Sequence, residues 1–174
     1  MKQIFTTLRK LVIPLAVLAL LGFLLFSLTN KTPAPNVTFT TIQGKVIPMA
    51  DLKGKMVLVN FWSTDCPGCI KEMPDFIETY NQYHLHGFEM VAVAMSYDPP
   101  SQVLNYTTKR PVPFPVVHDS LGEIASRFGN VNLTPTTFVI DKEGRIVRKT
   151  IGEMDFAALH ELLDKRLGKP GKHS

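Results

Sequence analysis

The sequence predicts one α/β domain that follows an apolar amino-terminal segment. Short continuous apolar runs, typical of strands buried on both faces, alternate with stretches whose apolar residues recur at helical spacing. The amino-terminal segment, residues 11–28, runs eighteen residues without a charge. That is close to the roughly 20 residues that a helix needs to cross a bilayer.

Residues 11–28 are expected to stay as an uncleaved transmembrane anchor. A secretory signal has a shorter apolar core of about 7 to 15 residues and a small-residue cleavage site, which the following residues do not provide. Three basic residues precede the span and one follows it closely. The excess of positive charge predicts that residues 1–10 stay in the cytoplasm and that the rest of the chain lies in the periplasm, outside the inner membrane.

The basic isoelectric point reflects this topology. All four charged residues before Val37 are basic, whereas the chain from Val37 onwards carries 15 basic and 15 acidic residues. A balanced domain gives no reason to expect a nucleic-acid partner. The expected organisation is an anchor, a proline-containing linker at residues 29–36, one domain at 37–168 and a flexible tail at 169–174.

The first half of the domain is predicted to form a hairpin, two buried strands and a helix between them. The hairpin spans residues 39–54 and turns at Gly44. The strands are MVLVNFW, residues 56–62, and FEMVAVAM, residues 88–95. The helix follows the first strand and buries one face, which carries Met73, Phe76, Ile77 and Tyr80.

The second half is predicted to contain an inserted region, a hairpin and a final helix. The insertion includes a helix that begins at Ser120, because Ser120 and Glu123 have the spacing of a capping box. The hairpin joins TFVI, residues 137–140, to RIVRKTI, residues 145–151, through the turn DKEG. The final helix is amphipathic and carries Phe156, Leu159, Leu163 and Leu167.

Cys66 and Cys69 are the only cysteines of the chain, in the run STDCPGCIKEMP. A structural disulfide is a poor interpretation, because the loop it would close is almost the smallest possible. A zinc site is also a poor one, because it needs about four ligands and no second cysteine pair exists. A redox-active dithiol fits the pattern better.

The position of the pair between a strand and a helix favours redox chemistry. A thiol at a helix amino terminus meets free N–H groups and the helix dipole, which favour the reactive thiolate. Pro67 suits the first helical position, and Gly68 adds no side chain that could shield sulfur. Cys66 would then meet the substrate, and Cys69, one turn deeper, would resolve the mixed disulfide.

The runs LVNFWSTDCPGCIKEMP and NLTPTTFVIDKEGRIV resemble the thioredoxin superfamily, and specifically its membrane-anchored TlpA-like and ResA-like branch. The resemblance covers nearly the whole chain after the linker. It implies a thioredoxin-like central mixed sheet flanked by helices, with an inserted helix and strand that residues 98–129 could supply.

The resemblance also implies roles for individual residues. Cys66 would be the nucleophile and Cys69 the resolving thiol. Pro135 would be the family's cis-proline, and Thr134 before it would offer backbone groups to an extended substrate peptide. A tryptophan at the end of a buried strand is more often a core residue than a contact, but Trp62, four residues before Cys66, is expected to lie at the edge of the site and to contact the substrate.

Glu72 is the third predicted catalytic residue. Thioredoxin keeps a buried aspartate six residues before its first cysteine, where this chain has Asn60, which cannot take a proton. Glu72 lies three residues after Cys69 on the same helix face, and reductases of this branch have an active-site glutamate there. The alternative is a solvent-exposed carboxylate in the first turns of the helix. Pro74 matches the family's helix kink, which would free the carbonyl of Ile70.

Asp65, Pro67 and Gly68 are predicted to tune Cys66 towards reduction of substrates. Pro67 and Gly68 bring no cation to the pair, and a carboxylate at Asp65 opposes thiolate formation, which raises the pKa of Cys66. Strongly oxidising members instead lower that pKa, often with a histidine between the cysteines. A reductase is therefore expected.

The partners follow from the resemblance. It implies protein disulfides as substrates, with apocytochrome c as one example, and no metal or organic cofactor. Electrons would come from an integral-membrane donor of the DsbD/CcdA type. The lipid bilayer would be the remaining partner.

Two other functions stay open at this point. Thiol peroxidases of the peroxiredoxin kind share the fold, but they place a proline and a threonine where this chain has Val59 and Ser63. Copper metallochaperones on the same fold use a C-x-x-x-C motif and a distant histidine, and the cysteine spacing here is one residue too short.

Overall fold

The computed structural model describes residues 12, 15–22 and 32–169. Residues 15–22 are helical. Within the described residues, no helix is long and apolar enough to cross a membrane. The other residues of the predicted anchor, the first three residues of the predicted linker and all but the first residue of the predicted tail lie outside the described residues.

The strands and helices after residue 36 alternate as predicted. The strands are β1 (Thr38–Thr40), β2 (Val46–Pro48), β3 (Met56–Trp62), β4 (Phe88–Ala94), β5 (Val116–His118), β6 (Thr136–Ile140) and β7 (Ile146–Ile151). The helices are α1 (Pro67–Tyr83), α2 (Pro100–Lys109), α3 (Glu123–Arg127) and α4 (Phe156–Leu167). Short 3-10 helices cover Met49–Leu52 and His84–His86.

A five-stranded mixed sheet in the order β5-β4-β3-β6-β7 forms the centre of the domain. Strands β3, β4 and β5 run parallel to one another, whereas β6 is antiparallel to both β3 and β7. The carboxyl ends of β3 and β4 therefore lie at the same edge of the sheet as the amino end of β6. This edge carries the predicted site.

Every residue of β3 is buried, because both faces of the sheet are covered. On one face, the side chains of β3 and β4 pack with Phe76 of α1, Val103 of α2 and Leu159 of α4. On the other face lie Phe39 of the β1–β2 hairpin and Phe128 after α3. Burial of β3 on both faces therefore explains its continuous apolar run, as the sequence predicted.

The predicted cap of the third helix is wrong. The helix begins at Glu123 instead of Ser120, and the residue at its cap position is Gly122, which has no side chain to cap it. The carboxylate of Asp119 takes this role from further back, since it accepts hydrogen bonds from Ile124 N at 3.2 Å and from Ala125 N at 2.8 Å. A carboxylate near a helix amino terminus is favoured by the dipole as well as by the free N–H groups.

Candidate active site

Cys66 and Cys69 form a disulfide at the amino terminus of α1. Cys66 is the residue that caps the helix, and its sulfur accepts a hydrogen bond from Cys69 N at 3.2 Å. Pro67 is the first residue of the helix, as predicted. Cys66 is half-buried, whereas only 1% of Cys69 is exposed. Only Cys66 is therefore open to attack on another molecule.

Pro135 lies beside the cysteines, and the Thr134–Pro135 peptide bond is cis, as the resemblance implied. A Cβ atom built on Gly68 would come 3.8 Å from Pro135 Cδ and 3.5 Å from Glu153 Oε1. These are ordinary van der Waals distances, so the end of the helix lies next to the proline loop and Glu153 without a close approach that only glycine would allow. The exposed Glu153 carboxylate is itself paired with Lys71, at 2.8 Å.

The backbone of Thr134 is open. Neither its N–H nor its carbonyl is hydrogen-bonded to any residue of the described chain, whereas the next carbonyl, that of Pro135, accepts from Gly152 N at 2.8 Å. An unpaired N–H and carbonyl next to a reactive sulfur can pair with an extended peptide.

Glu72 is buried, with 4% of its surface exposed. Its Oε2 accepts a hydrogen bond from Met154 N at 3.1 Å, and its Oε1 lies 3.5 Å from Asn60 Nδ2. Burial raises the pKa of Glu72 to about 7, and the hydrogen bonds from Met154 and Asn60 offset only part of that effect. The solvent-exposed alternative is thus wrong for Glu72. A carboxyl group with this pKa can both take and give a proton near neutral pH.

Asn60 supports Glu72 from the central strand. Its side chain is buried and donates to Thr137 Oγ1 at 2.9 Å as well as towards Glu72. An aspartate at this position would place a second carboxylate against Glu72. Asparagine instead supplies a hydrogen-bond donor. Of these two buried residues, only Glu72, on the helix, can therefore take up and release a proton.

The sequence analysis missed Asp98. This carboxylate follows β4, is 1% exposed, and accepts from Thr64 N and from Thr64 Oγ1, both at 2.6 Å. Thr64 lies two residues before Cys66, so Asp98 fixes the loop that leads into the nucleophile. A signal existed in the sequence, because Asp98 closely follows a strand parallel to the one that precedes the cysteines.

Tyr97, also missed, contacts the opposite side of the site. Its hydroxyl lies 3.2 Å from Thr134 Oγ1, and 59% of the residue is exposed. Adjacent residues of the β4–α2 loop therefore contact both segments that flank the disulfide. The loop joins the cysteine segment to the proline segment.

The predicted substrate contact of Trp62 is wrong. The Trp62 side chain is fully buried and packs against the ring of Tyr106, with centroids 5.3 Å apart. Trp62 belongs to the core because β3 is covered on both faces up to its last residue. Asp65, in contrast, is exposed next to Cys66.

Metal ligation finds no support in the described part of the chain. No three His, Cys, Asp or Glu side chains there are grouped so that they could hold a metal ion. The chemistry that the site offers is that of a half-buried sulfur, a buried sulfur and a buried carboxyl group.

Comparison with known proteins agrees with this chemistry. A family model described as Redoxin matches residues 29–163. The chain belongs to the Redoxin family. Among curated proteins, this redoxin is 39% identical to the thiol-disulfide oxidoreductase ResA of Bacillus thuringiensis subsp. konkukian (strain 97-27), over 76% of the chain and 75% of that relative. It is 36% identical to ResA of Bacillus subtilis (strain 168), over 85% of the chain and 80% of the relative.

Solved structures give the same assignment for this redoxin. A thiol:disulfide interchange protein of the thioredoxin family from Chlorobium tepidum TLS superposes with a TM-score of 0.73 and 31% identity, covering 80% of this chain and 99% of the other. StoA from Bacillus subtilis superposes with a TM-score of 0.63 and 29% identity, covering 74% and 98%. The redoxin is a ResA-like thiol-disulfide oxidoreductase with a thioredoxin-like fold.

Proposed function

We propose that the protein reduces disulfides of other proteins in the periplasm, held at the inner membrane by residues 11–28. Apocytochrome c is the substrate that the resemblance to the ResA-like branch favours. The observation that carries the reductase proposal is the pairing of an accessible Cys66 with a buried Cys69 and a buried Glu72 whose pKa is about 7.

Reduction begins at Cys66. Its thiolate attacks one sulfur of the substrate disulfide, which forms a mixed disulfide and releases the other substrate sulfur as a thiolate that takes up a proton. The helix amino terminus favours the Cys66 thiolate. The open N–H and carbonyl of Thr134 can hold the substrate strand in place during the attack.

Glu72 completes the reaction by serving the second cysteine. The Glu72 carboxylate accepts the proton of Cys69, and the Cys69 thiolate then attacks Cys66 Sγ. The second substrate sulfur leaves as a thiolate, and Cys66 and Cys69 are joined in the disulfide that the structure contains. Two electrons have passed to the substrate, and a dithiol donor of the DsbD/CcdA type would return them to the protein.

Trapping with Cys69→Ser tests the substrate class. Without Cys69, the mixed disulfide at Cys66 is not resolved, so substrates stay covalently attached and can be identified after non-reducing purification. The matched control is Cys66→Ser/Cys69→Ser, which cannot form the bond. Trapped apocytochromes would support a role in cytochrome c maturation, and the absence of any protein above the control would refute protein-disulfide reduction.

A fusion after Ser174 tests the location. A reporter that works only outside the cytoplasm should be active and should sediment with membranes, because the charges around residues 11–28 favour a cytoplasmic amino terminus. Recovery of a soluble periplasmic form that lacks residues 1–28 would contradict the anchor. Activity of a cytoplasm-only reporter would contradict the orientation.

A further inference from the structure

A groove of ≈ 450 Å³ lies beside the cysteines, between the start of α1 and the helix α2. Thr64 and Ile70, which flank the C-P-G-C motif, line one end. Gln102 and Tyr106 form part of its wall on α2, and Lys109 and Arg110 line it at the carboxyl end of that helix, which is the end of α2 far from the contact between Gln102 and Thr64. The groove thus leads away from the nucleophile along the inserted helix.

The far end of the groove is cationic and unneutralised. Lys109 and Arg110 are both exposed, and neither forms an ion pair with any residue that the structure describes. The Arg110 guanidinium instead lies over the ring of Tyr106, 5.6 Å from its centroid. No aspartate or glutamate is among the residues that line the groove.

The length of the groove can be expressed in substrate residues. At its near end, Gln102 Oε1 lies 3.0 Å from Thr64 Oγ1. Lys109 follows seven residues later on α2, which at 1.5 Å per residue is about 10 Å along the helix. An extended chain rises about 3.3 Å per residue, so this distance corresponds to about three substrate residues.

We propose that this groove binds the polypeptide segment next to the substrate's attacked cysteine, and that Lys109 and Arg110 select a carboxylate about three or four residues from that cysteine. Ile70 and Tyr106 supply apolar contacts to the intervening side chains. The carboxylate would pair with two cations that the folded chain leaves free. This inference rests on the proposed reduction of protein disulfides and adds a preference for acidic flanking sequence.

Symmetric disulfide dimers of single-cysteine peptides test the preference, because the attacked cysteine then always has the same neighbours. One set carries Glu three or four residues after the cysteine, one set carries it before, and a third set has Gln at these positions. The reduced full-length chain in detergent is mixed with each peptide, and second-order rate constants are measured. In one of the two directions, Glu should react about fivefold faster than Gln, the upper range for an exposed charge pair.

The variant Lys109→Gln/Arg110→Gln should bring the Glu-to-Gln ratio close to one. High salt should lower the ratio of the unmodified chain, since exposed charges are screened. The matched control is Lys165→Gln/Arg166→Gln, which removes an equally exposed Lys-Arg pair from the end of α4 and should leave the ratio unchanged. Because both double variants lose two positive charges, a general charge effect would appear in each.

Equal rates for Glu and Gln peptides in both directions would overturn the proposed groove function while leaving the reductase proposal intact. A Glu preference that survives in Lys109→Gln/Arg110→Gln would also overturn it. If the unmodified chain reduced none of the dimers, including those with Gln, the proposed reduction of protein disulfides would fail, and the groove proposal with it.

Discussion

At the scale of single residues, Glu72 is the group on which the proposed mechanism depends most. We expect Glu72→Gln to slow the resolving step by about 10²- to 10⁴-fold, the usual contribution of a positioned base. Single-turnover release of substrate from the mixed disulfide, followed from pH 5 to 9, would show it. In the unmodified chain this rate should rise with pH around pH 7, because Glu72 must be ionised to accept the proton.

Glu78→Gln is the control, because Glu78 is an exposed carboxylate of the same helix. It should keep both the rate and the pH profile of the unmodified chain. Identical profiles for Glu72→Gln and Glu78→Gln would remove Glu72 from the mechanism.

The same group should make the stability of the oxidised protein depend on pH. Glu72 has a pKa of about 7 in the folded state, above the ordinary value of 4.5. Between these values the folded chain holds a proton that the unfolded chain has released, so the Glu72 contribution to the free energy of unfolding falls as pH rises. Relative to the unmodified chain, Glu72→Gln should therefore gain up to about 3 kcal/mol between pH 4 and pH 8.

Urea unfolding can be followed by the fluorescence of Trp62, the only tryptophan of the chain. A difference in the free energy of unfolding between Glu72→Gln and the unmodified chain that stays constant with pH would contradict the raised pKa.

Asp98→Asn should loosen the loop that carries the nucleophile. Asparagine can accept from Thr64 N with its oxygen and donate to Thr64 Oγ1 with its Nδ2, but neutral hydrogen bonds replace two charge-assisted ones. The expected cost is about 1 to 2 kcal/mol in the free energy of unfolding. Faster amide hydrogen exchange at Thr64 and slower attack by Cys66 should accompany it. Asp51→Asn, the same change at an exposed site, should alter none of these; equal behaviour of the two variants would show that Asp98 does not hold the loop.

At the scale of elements, two residues compete for the role of capping α3: Ser120, which the sequence predicts, and Asp119, which caps the helix in the structure. Asp119→Ala removes the acceptor of Ile124 N and Ala125 N and should lower the free energy of unfolding by about 1 to 2 kcal/mol. Ser120→Ala should change it by less than about 0.5 kcal/mol, as is usual at an exposed position. Urea unfolding of both variants tells the two caps apart. A larger loss of stability in Ser120→Ala than in Asp119→Ala would support the predicted capping box instead.

Elements were predictable where their cause is local. The buried strand β3 was predicted with its observed bounds, because a nearly continuous apolar run of seven residues indicates a strand that is covered on both faces. The contact between Asp98 and Thr64 joins residues 34 apart in the chain, and no local pattern encodes it. The prediction for Trp62 was wrong for a related reason. The burial of its side chain depends on Tyr106 of the inserted helix, which is distant in the sequence and packs against it.

At the scale of the whole molecule, the proposed direction of electron flow requires that the helix amino terminus stabilise the Cys66 thiolate only modestly. The sulfur accepts one backbone hydrogen bond, and the exposed neighbour Asp65 is anionic. We expect a reduction potential nearer to the roughly −270 mV of thioredoxin than to the roughly −120 mV of DsbA. Asp65→Asn should make the protein more oxidising, since a carboxylate opposes thiolate formation.

Equilibration of the full chain with glutathione buffers measures both potentials. A disulfide that is already fully reduced at mildly oxidising glutathione ratios would overturn the reductase direction. Glu161→Asn, a similar removal of charge at an exposed site on α4, serves as the control for Asp65→Asn.

The two outer strands of the central sheet determine where another polypeptide can add to it. Strand β5 has only three residues, and its outer side already bonds to the β1–β2 hairpin through Thr41 and Ile42. Strand β7 carries Arg148 and Lys149, and its pairing with β6 is interrupted by an irregularity. Edge strands that are short and covered, or charged and irregular, discourage edge-to-edge aggregation. Neighbouring copies of this domain therefore stay separate even at high local concentration, while the backbone of Thr134 remains open to an incoming strand.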